Sequence, residues 1–359
     1  MIIGSSIDDL RDTLDIIEVI GKDVTLKKRG TTHVGCCPFH DEKSPSFTVS
    51  PTKQIFKCFG CGAGGDAITF VMKKENIEFV PAVRLLASRI NFTLEETEET
   101  AEDKEAAAKK ADLWQINAAA AKHYQENLLN LPVDQWAAEE LLINRMYHPD
   151  TILDFNLGYA RDDWRSLTQI LTDRGLFHSG EELGLVKAND TGKSWDVYRN
   201  RLIFPIHDEQ GRIVGFGGRK PSSDEDKSNP KYLNSKESPL YKKDRVLYGL
   251  FQAKKHIKEM GFAIVVEGYT DVISMHQAGA PNTVGVCGTA LTDHHAKLLK
   301  RYTNQVVLMG DGDTAGRNAN FKAVDILIKY ALKVEICPLP EAHDPDSYAR
   351  QHFNTAESI

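Results

Sequence analysis

The chain has no apolar run long enough to cross a bilayer, and its opening, MIIGSSIDDL, lacks the basic and apolar regions of a secretory signal. Cysteine is scarce: six in 359 residues, four of them bunched at Cys36, Cys37, Cys58 and Cys61. These absences predict a cytoplasmic protein without membrane contact, its thiols kept reduced for metal rather than spent on disulfides. Also missing is a surplus of positive charge, the net being −7. That argues weakly against a polyanionic partner, but the distribution weighs more than the sum. Arg199 to Lys258 holds fourteen Lys and Arg against seven Asp and Glu, whereas Thr93 to Lys110 holds seven acids and three lysines. A basic belt therefore survives beside an expendable acidic stretch. No internal repeat is present.

What remains is ordinary globular composition, 41% hydrophobic and 26% charged, with length for two or three domains. Apolar residues at helical spacing predict one helix over Ile7–Ile20 with Ser6 as its cap. SFTVS and QIFKC read as a hairpin turning at Pro51-Thr52-Lys53, and DAITFVMKKENIEFVPAVRLLASRI as helix broken near Pro81. TLEETEETAEDKEAAAKKAD has no apolar face and reads as a solvated linker with some helix. From Phe262 onward strands and helices alternate (FAIVVEG, NTVGVCG, QVVLMGDGD and KVEICPL being the strands), which implies a parallel sheet.

Cys37-x2-His40 and Cys58-x2-Cys61 form two knuckles at the spacing of a structural zinc site. Cys36 competes with Cys37, but only Cys37 stands two residues from His40. Four ligands leave no open position, so this zinc is expected to hold shape rather than do chemistry. Lys27, Lys28, Arg29, Lys43, Lys53 and Lys57 surround the knuckles, interleaved with Phe47, Phe56 and Phe59, a mixture that suits single-stranded nucleic acid. Cys287 and Cys337 lie in apolar strand text and read as packing residues.

In an open parallel sheet, ligands sit beyond the carboxyl ends of the strands. Glu267 closes FAIVVEG, Asp311 and Asp313 close VVLMGDGD, and Asp344 and Asp346 follow the last strand. Five crowded carboxylates repel one another unless something positive joins them. All-oxygen ligands of this kind suit hydrated Mg²⁺ or Mn²⁺ that shares its remaining positions with substrate phosphates.

VVEGYTDVIS and LMGDGDTAG followed by DPD resemble the Toprim domain of primases, topoisomerases and some nucleases. CPFHDEKSPSFTVSPTKQIFKCFGCGAGGD resembles the zinc-binding domain of bacterial DnaG-type primases, and RLIFPIHDEQGRIVGFGGR with PKYLNS resembles the start of their RNA polymerase domain. The resemblance implies an α/β and α+β multidomain chain. Its parts would be a zinc-ribbon domain at 1–95, an acidic linker at 96–112, a mixed α/β basic subdomain at 113–260, a parallel-sheet Toprim subdomain at 261–345 and the start of a helical region at 346–359.

The function implied is synthesis of RNA primers on a single-stranded DNA template from ribonucleoside triphosphates, at replication forks in the nucleoid. Glu267, Asp311 and Asp313 would be the main metal carboxylates, with Asp344 and Asp346 in support. Glu267 is open to a general-base role as well as a ligand role. Arg199, Arg201, Arg219, Lys231 and Lys243 match the family's basic ridge, with Tyr232 and Asn234 placed to position a base or sugar. GFGG at 215–218 reads as a tight turn allowing close backbone approach. The replicative helicase is the family's partner. The sequence stops short of the domain that docks it, so weak or absent helicase binding is expected. A Toprim nuclease or topoisomerase, and a non-catalytic zinc module that binds DNA, are the rival readings.

Overall fold

The SFTVS and QIFKC hairpin is organised by strict alternation of buried and less buried residues. In a computed structural model that describes residues 2–96, 101–341 and 343–353, five short strands form one antiparallel sheet in sequence order. They are β1 (Lys27–Arg29), β2 (Thr32–Gly35), β3 (Phe47–Ser50), β4 (Ile55–Cys58) and β5 (Gly64–Gly65). β3 and β4 bury every second residue, and the register pairs Phe47 with Cys58 and Val49 with Phe56. These residues therefore share the inward face. Phe47 and Phe56 stack at 5.2 Å, with Phe39 and Phe70 edge-on, and make the centre of this unit's core.

Two helix predictions change here. The first helix is two, Gly4–Thr13 and Ile16–Gly21, because the Asp15 carboxylate accepts the Ile17 N–H and starts a new one. Ser6 caps neither; its buried hydroxyl accepts the Glu95 N–H at 2.9 Å. The second break falls at Asn76, in the left-handed conformation (φ 53°), and not at Pro81, which occupies the first turn of the helix Phe79–Arg89.

The chain divides into two units between Glu105 and Ala106, inside the predicted linker. Residues 97–100 of that linker and 354–359 of the predicted final segment lie outside the described residues. Residues 101–112 are the opening turns of a 29-residue helix, Ala101–Leu129.

The second unit has two main sheets. β6 (Gly158–Ala160), β9 (Arg201–His207), β10 (Ile213–Arg219) and β11 (Tyr232–Asn234) make an antiparallel sheet in the order β11-β10-β9-β6. β7 (Val186–Ala188) and β8 (Ser194–Asp196) form a separate hairpin. All seven residues of β9 are buried, consistent with the near-continuous apolar run RLIFPIH. GFGG lies inside β10 and is not a turn. The close approach it permits is real, since a Cβ on Gly217 would meet the Tyr269 ring at 2.4 Å.

β12 (Ala263–Val266), β13 (Thr283–Gly285), β14 (Gln305–Leu308) and β15 (Lys333–Ile336) are all parallel, in the order β13-β12-β14-β15, with crossover helices between them. One core joins the two sheets through Phe204, Tyr248, Tyr269 and Val266, and Tyr248 bridges to Gly285 by backbone hydrogen bonds of 2.8 and 3.0 Å.

Candidate active site and metal centre

In the first unit, the hairpin β3–β4 carries Cys58 beside the Cys37–His40 loop. One ligand atom from each of Cys37, His40, Cys58 and Cys61 lies within 4.8 Å of the others. The Cys37 and Cys61 sulfurs are 3.8 Å apart, and the Cys58 sulfur is 3.8 Å from His40 Nδ1. Burial pushes the Cys37 thiol up to about 12, and the neighbouring sulfurs add to the rise. Burial also opposes the Cys58 thiolate, but the Cys61 N–H, the Ser46 hydroxyl and the Gly60 N–H outweigh it and hold that thiol at about 6. Three sulfurs and one imidazole, tetrahedral in number and drawn this close, fit zinc. Cys36 is exposed and outside the group. Of the interleaved aromatics, Phe47 and Phe56 are core, and only Phe59, 76% exposed, faces solvent.

In the second unit, the acids gather at the carboxyl ends of the parallel strands. Glu267 follows β12, and its Oε1 accepts the Asp311 N–H at 3.3 Å. Asp313 caps the helix Thr314–Lys329, accepting the Gly316 N–H at 2.8 Å, and it is exposed. The Gly312 N–H donates to the His343 carbonyl at 2.9 Å and ties the Asp311–Asp313 loop to the segment bearing Asp344. Burial pushes Asp311 up to about 6, and the charges on Glu267, Asp344 and Asp313 add to it, with only Lys231 opposing. Asp344 is also disfavoured by burial, but hydrogen bonds from Ser347 and the charges of Arg145 and Arg350 hold it below the usual carboxylate range. This crowding of partly desolvated carboxylates, with one lysine among them, fits a divalent cation bound through oxygen. Their oxygens are not drawn together as tightly as the four ligands of the first unit, the closest such group among the described residues.

Asp346 departs from the prediction. It is buried, and both oxygens are occupied by protein donors: Ser274 Oγ and Arg350 Nε on one, Arg145 and Arg350 Nη2 on the other. As placed, it locks the helix Pro345–Phe353 to the rest of the unit and offers no free oxygen to a metal. The basic ridge also divides. Arg201, 2% exposed, donates to the Gly218 and Pro230 carbonyls at 2.9 Å and to Asn229. Arg219, 6% exposed, donates to Glu140 at 2.7 Å. Both guanidinium groups, matched above to the family's basic ridge, are engaged by acceptors within the fold. Asn234 is likewise engaged, accepting from the Tyr269 hydroxyl and donating to the Cys287 carbonyl. Tyr232 packs against the stacked pair Phe204 and Tyr269. Lys231 is exposed and near Asp311, Lys243 is half-buried, and Arg199 lies 3.8 Å above the ring of Trp164, itself 57% exposed. Cys287 packs as expected but on the loop after β13, at φ 43°.

Three comparisons with known proteins bear on this arrangement. Residues 2–102 match the CHC2 zinc finger, 123–254 the N-terminal domain of the DNA primase catalytic core, and 264–349 a Toprim-like domain. The Aquifex aeolicus primase structure, comprising zinc-binding and RNA polymerase domains, is 38% identical with a TM-score of 0.62, covering 98% of this chain and 83% of that one. The chain belongs to the DnaG primase family. A DnaG catalytic domain solved bound to single-stranded DNA is 34% identical, TM-score 0.63, over 69% of this chain and 79% of its own. The DNA primase of Clostridium acetobutylicum is 42% identical over 98% of this chain and 57% of its own length; that of Halalkalibacterium halodurans is 40% identical over 97% and 57%. The chain thus spans little more than half the length of these curated relatives.

The CHC2 match covers the Cys and His foursome, and the Toprim-like match covers all five predicted acids. No helix among the described residues is long and apolar enough to cross a membrane. Sequence reasoning overlooked two residues at these sites, Asp271 and Glu42, and a third, Trp164, beside Arg199. Asp271 is buried and pushed up to about 7 by desolvation and by Asp344, Asp346 and Asp311. Its signal was the spacing in EGYTD, four residues after Glu267 on the first turn of a helix. Glu42 braces the zinc ligands, and Trp164 offers an exposed ring under Arg199.

Proposed function

We propose that this chain carries the template-directed primer-synthesis centre of a DNA primase, joining ribonucleotides on single-stranded DNA. The observation that supports this most is the crowding of Glu267, Asp311, Asp313 and Asp344 at three adjacent strand ends, with Asp311 pushed up by burial and further by its anionic neighbours. These four residues would hold Mg²⁺ or Mn²⁺. Bound there, a divalent ion supplies charge neutralisation for a triphosphate and stabilises charge developing at the attacked phosphorus. Asp271, behind them, keeps the Glu267 loop in place by accepting the Gly268 N–H at 2.7 Å.

Lys231, exposed beside Asp311, is the side chain placed to meet nucleotide phosphates. Template binding is assigned to two surfaces. One is the basin of ≈520 Å³ around Trp164, Trp195, Arg165 and Lys193, where exposed indole and cations suit unpaired bases and phosphates. The other is the open face of the zinc ribbon, where the register puts Lys27, Val34, Thr48 and Lys57 in one cross-strand row. The deciding experiment is primer formation from labelled ribonucleotides on single-stranded DNA, with and without Mg²⁺. Metal-dependent product is expected. Relaxation or nicking of supercoiled DNA without primer product would transfer the acids to a nuclease or topoisomerase. DNA binding without product would leave a zinc module.

A further inference from the structure

The side chain that organises the Cys and His centre is an acid that no spacing rule selects. Glu42 is largely enclosed, its side chain 9% exposed. Oε1 accepts the Cys37 N–H at 2.6 Å and the Ser46 N–H at 3.1 Å. Oε2 accepts the Ser46 hydroxyl at 2.5 Å and stands 3.3 Å from His40 Nε2. Ser46 then reaches the second knuckle: its Oγ is 3.2 Å from the Cys58 sulfur, and its carbonyl accepts the Phe59 N–H at 2.9 Å. One carboxylate thus holds both ligands of the first knuckle, Cys37 and His40, and reaches Cys58 of the second through Ser46.

The ring has its orientation fixed by this arrangement. His40 Nδ1 faces the sulfurs, 3.8 Å from Cys58, and Nε2 faces Glu42. The backbone closes over the same edge, for a Cβ on Gly60 would fall 2.6 Å from Nε2. A carboxylate accepting from the far nitrogen of a ligating histidine fixes its tautomer and raises its basicity toward the metal.

We propose that Glu42 is the positioning residue of the zinc centre: it holds His40 with the Nε2–H donated to its carboxylate and Nδ1 bare toward the metal, and it couples the two knuckles through Ser46. This rests on the reading of Cys37, His40, Cys58 and Cys61 as zinc ligands.

The test uses the full chain reconstituted with one equivalent of zinc. Zinc release to a chromophoric chelator is timed, and the His40 tautomer is read from ring ¹⁵N shifts. Glu42→Gln keeps an oxygen for the Cys37 and Ser46 N–H groups but turns an NH₂ toward Nε2. It is expected to speed zinc loss roughly 10–100-fold and to shift the His40 Nε2 resonance. In a His40→Cys background, where no imidazole remains to be oriented, the same change should speed release by only about a few fold. Equal release rates for parent and Glu42→Gln, with an unmoved tautomer, overturn the proposal. So does an undiminished effect in the His40→Cys background, which would make Glu42 a staple of the loop alone. A parent chain that takes up no zinc defeats the underlying reading instead, and the two failures are told apart by metal content before any variant is made.

Discussion

The two candidate metal sites solve opposite problems. In the first unit, four ligands from two knuckles lie within 4.8 Å, braced by Glu42 and roofed by Gly60. In the second, acids project from three strand ends; Asp313 is exposed and caps a helix, and Asp311 is raised to about 6 by burial and by its anionic neighbours. A closed, neutralising donor set gives shape, and an open, over-charged one keeps room for a substrate. The difference teaches where electrostatic strain is tolerated. It is relieved where a metal is structural, and it is left standing where a metal must share itself with phosphates.

Four measurements would break or sharpen that contrast. The largest effect belongs to the open site. Asp311→Asn should cut Mg²⁺-dependent primer synthesis by about a hundredfold or more, because a metal carboxylate is lost. The same substitution should raise the thermal midpoint of the metal-free protein, since a repelling charge is gone. Activity lost without that gain would mean Asp311 is not under repulsion. At the closed site, Cys58→Ser should drop bound zinc from one equivalent to near none at micromolar chelator and lower the midpoint of the first unit, measured by metal analysis and calorimetry.

Third in size is a pH dependence. Asp271, at about 7, and Asp311, at about 6, bind protons more tightly when folded than the ordinary carboxylate near 4 does when unfolded. The unfolded state therefore binds fewer protons across this window. The contribution of these two groups to the stability of the second unit, fully present below about pH 4, should be lost as pH rises from about 4 to 7, at roughly 2–4 °C per kcal/mol, read as the difference in midpoint from an Asp271→Asn, Asp311→Asn protein. Added Mn²⁺ should flatten that decline, and a difference that grows with pH without metal would contradict it. Smallest is the division of the basic ridge. Lys231→Ala should leave the midpoint unchanged and lower the salt dependence of DNA or nucleotide affinity by about one counterion. Arg201→Ala should instead destabilise by about 2–4 kcal/mol, since the Gly218, Asn229 and Pro230 acceptors lose a buried donor.

The convergence of Cys37, His40, Cys58 and Cys61 and the strand-end position of the acids were legible because spacing carries both. An x2 knuckle converges on an ion, and a carboxylate at the end of a parallel strand faces the site whatever packs behind it. The parallel sheet was readable from its alternation of strand and helix text. Arg201 and Asp346 were not legible for a shared reason. A charged residue on a strand or in a first helical turn reads the same whether it meets solvent or a buried partner, and these partners lie 28 and 201 positions away. Asp271 hid inside a helix buried on all sides from Tyr269 to Met275, where no amphipathic pattern marks an inward face. The break at Asn76 was masked by Pro81, since proline is comfortable in the first turn of a helix and asparagine tolerates the left-handed conformation.

Arg145 ends a short π-helical turn, Glu140–Asn144, and inserts beside Asp346 while Glu140 takes both Arg145 and Arg219. The parallel-sheet half therefore cannot be excised as an independent module without stranding an enclosed anion. Cut free of residues before 261, it would keep its strands and crossover helices yet carry Asp346 with one guanidinium where it had two. That loss falls on the helix start that positions Asp344, so autonomy of folding and competence for catalysis would part company at this one cation.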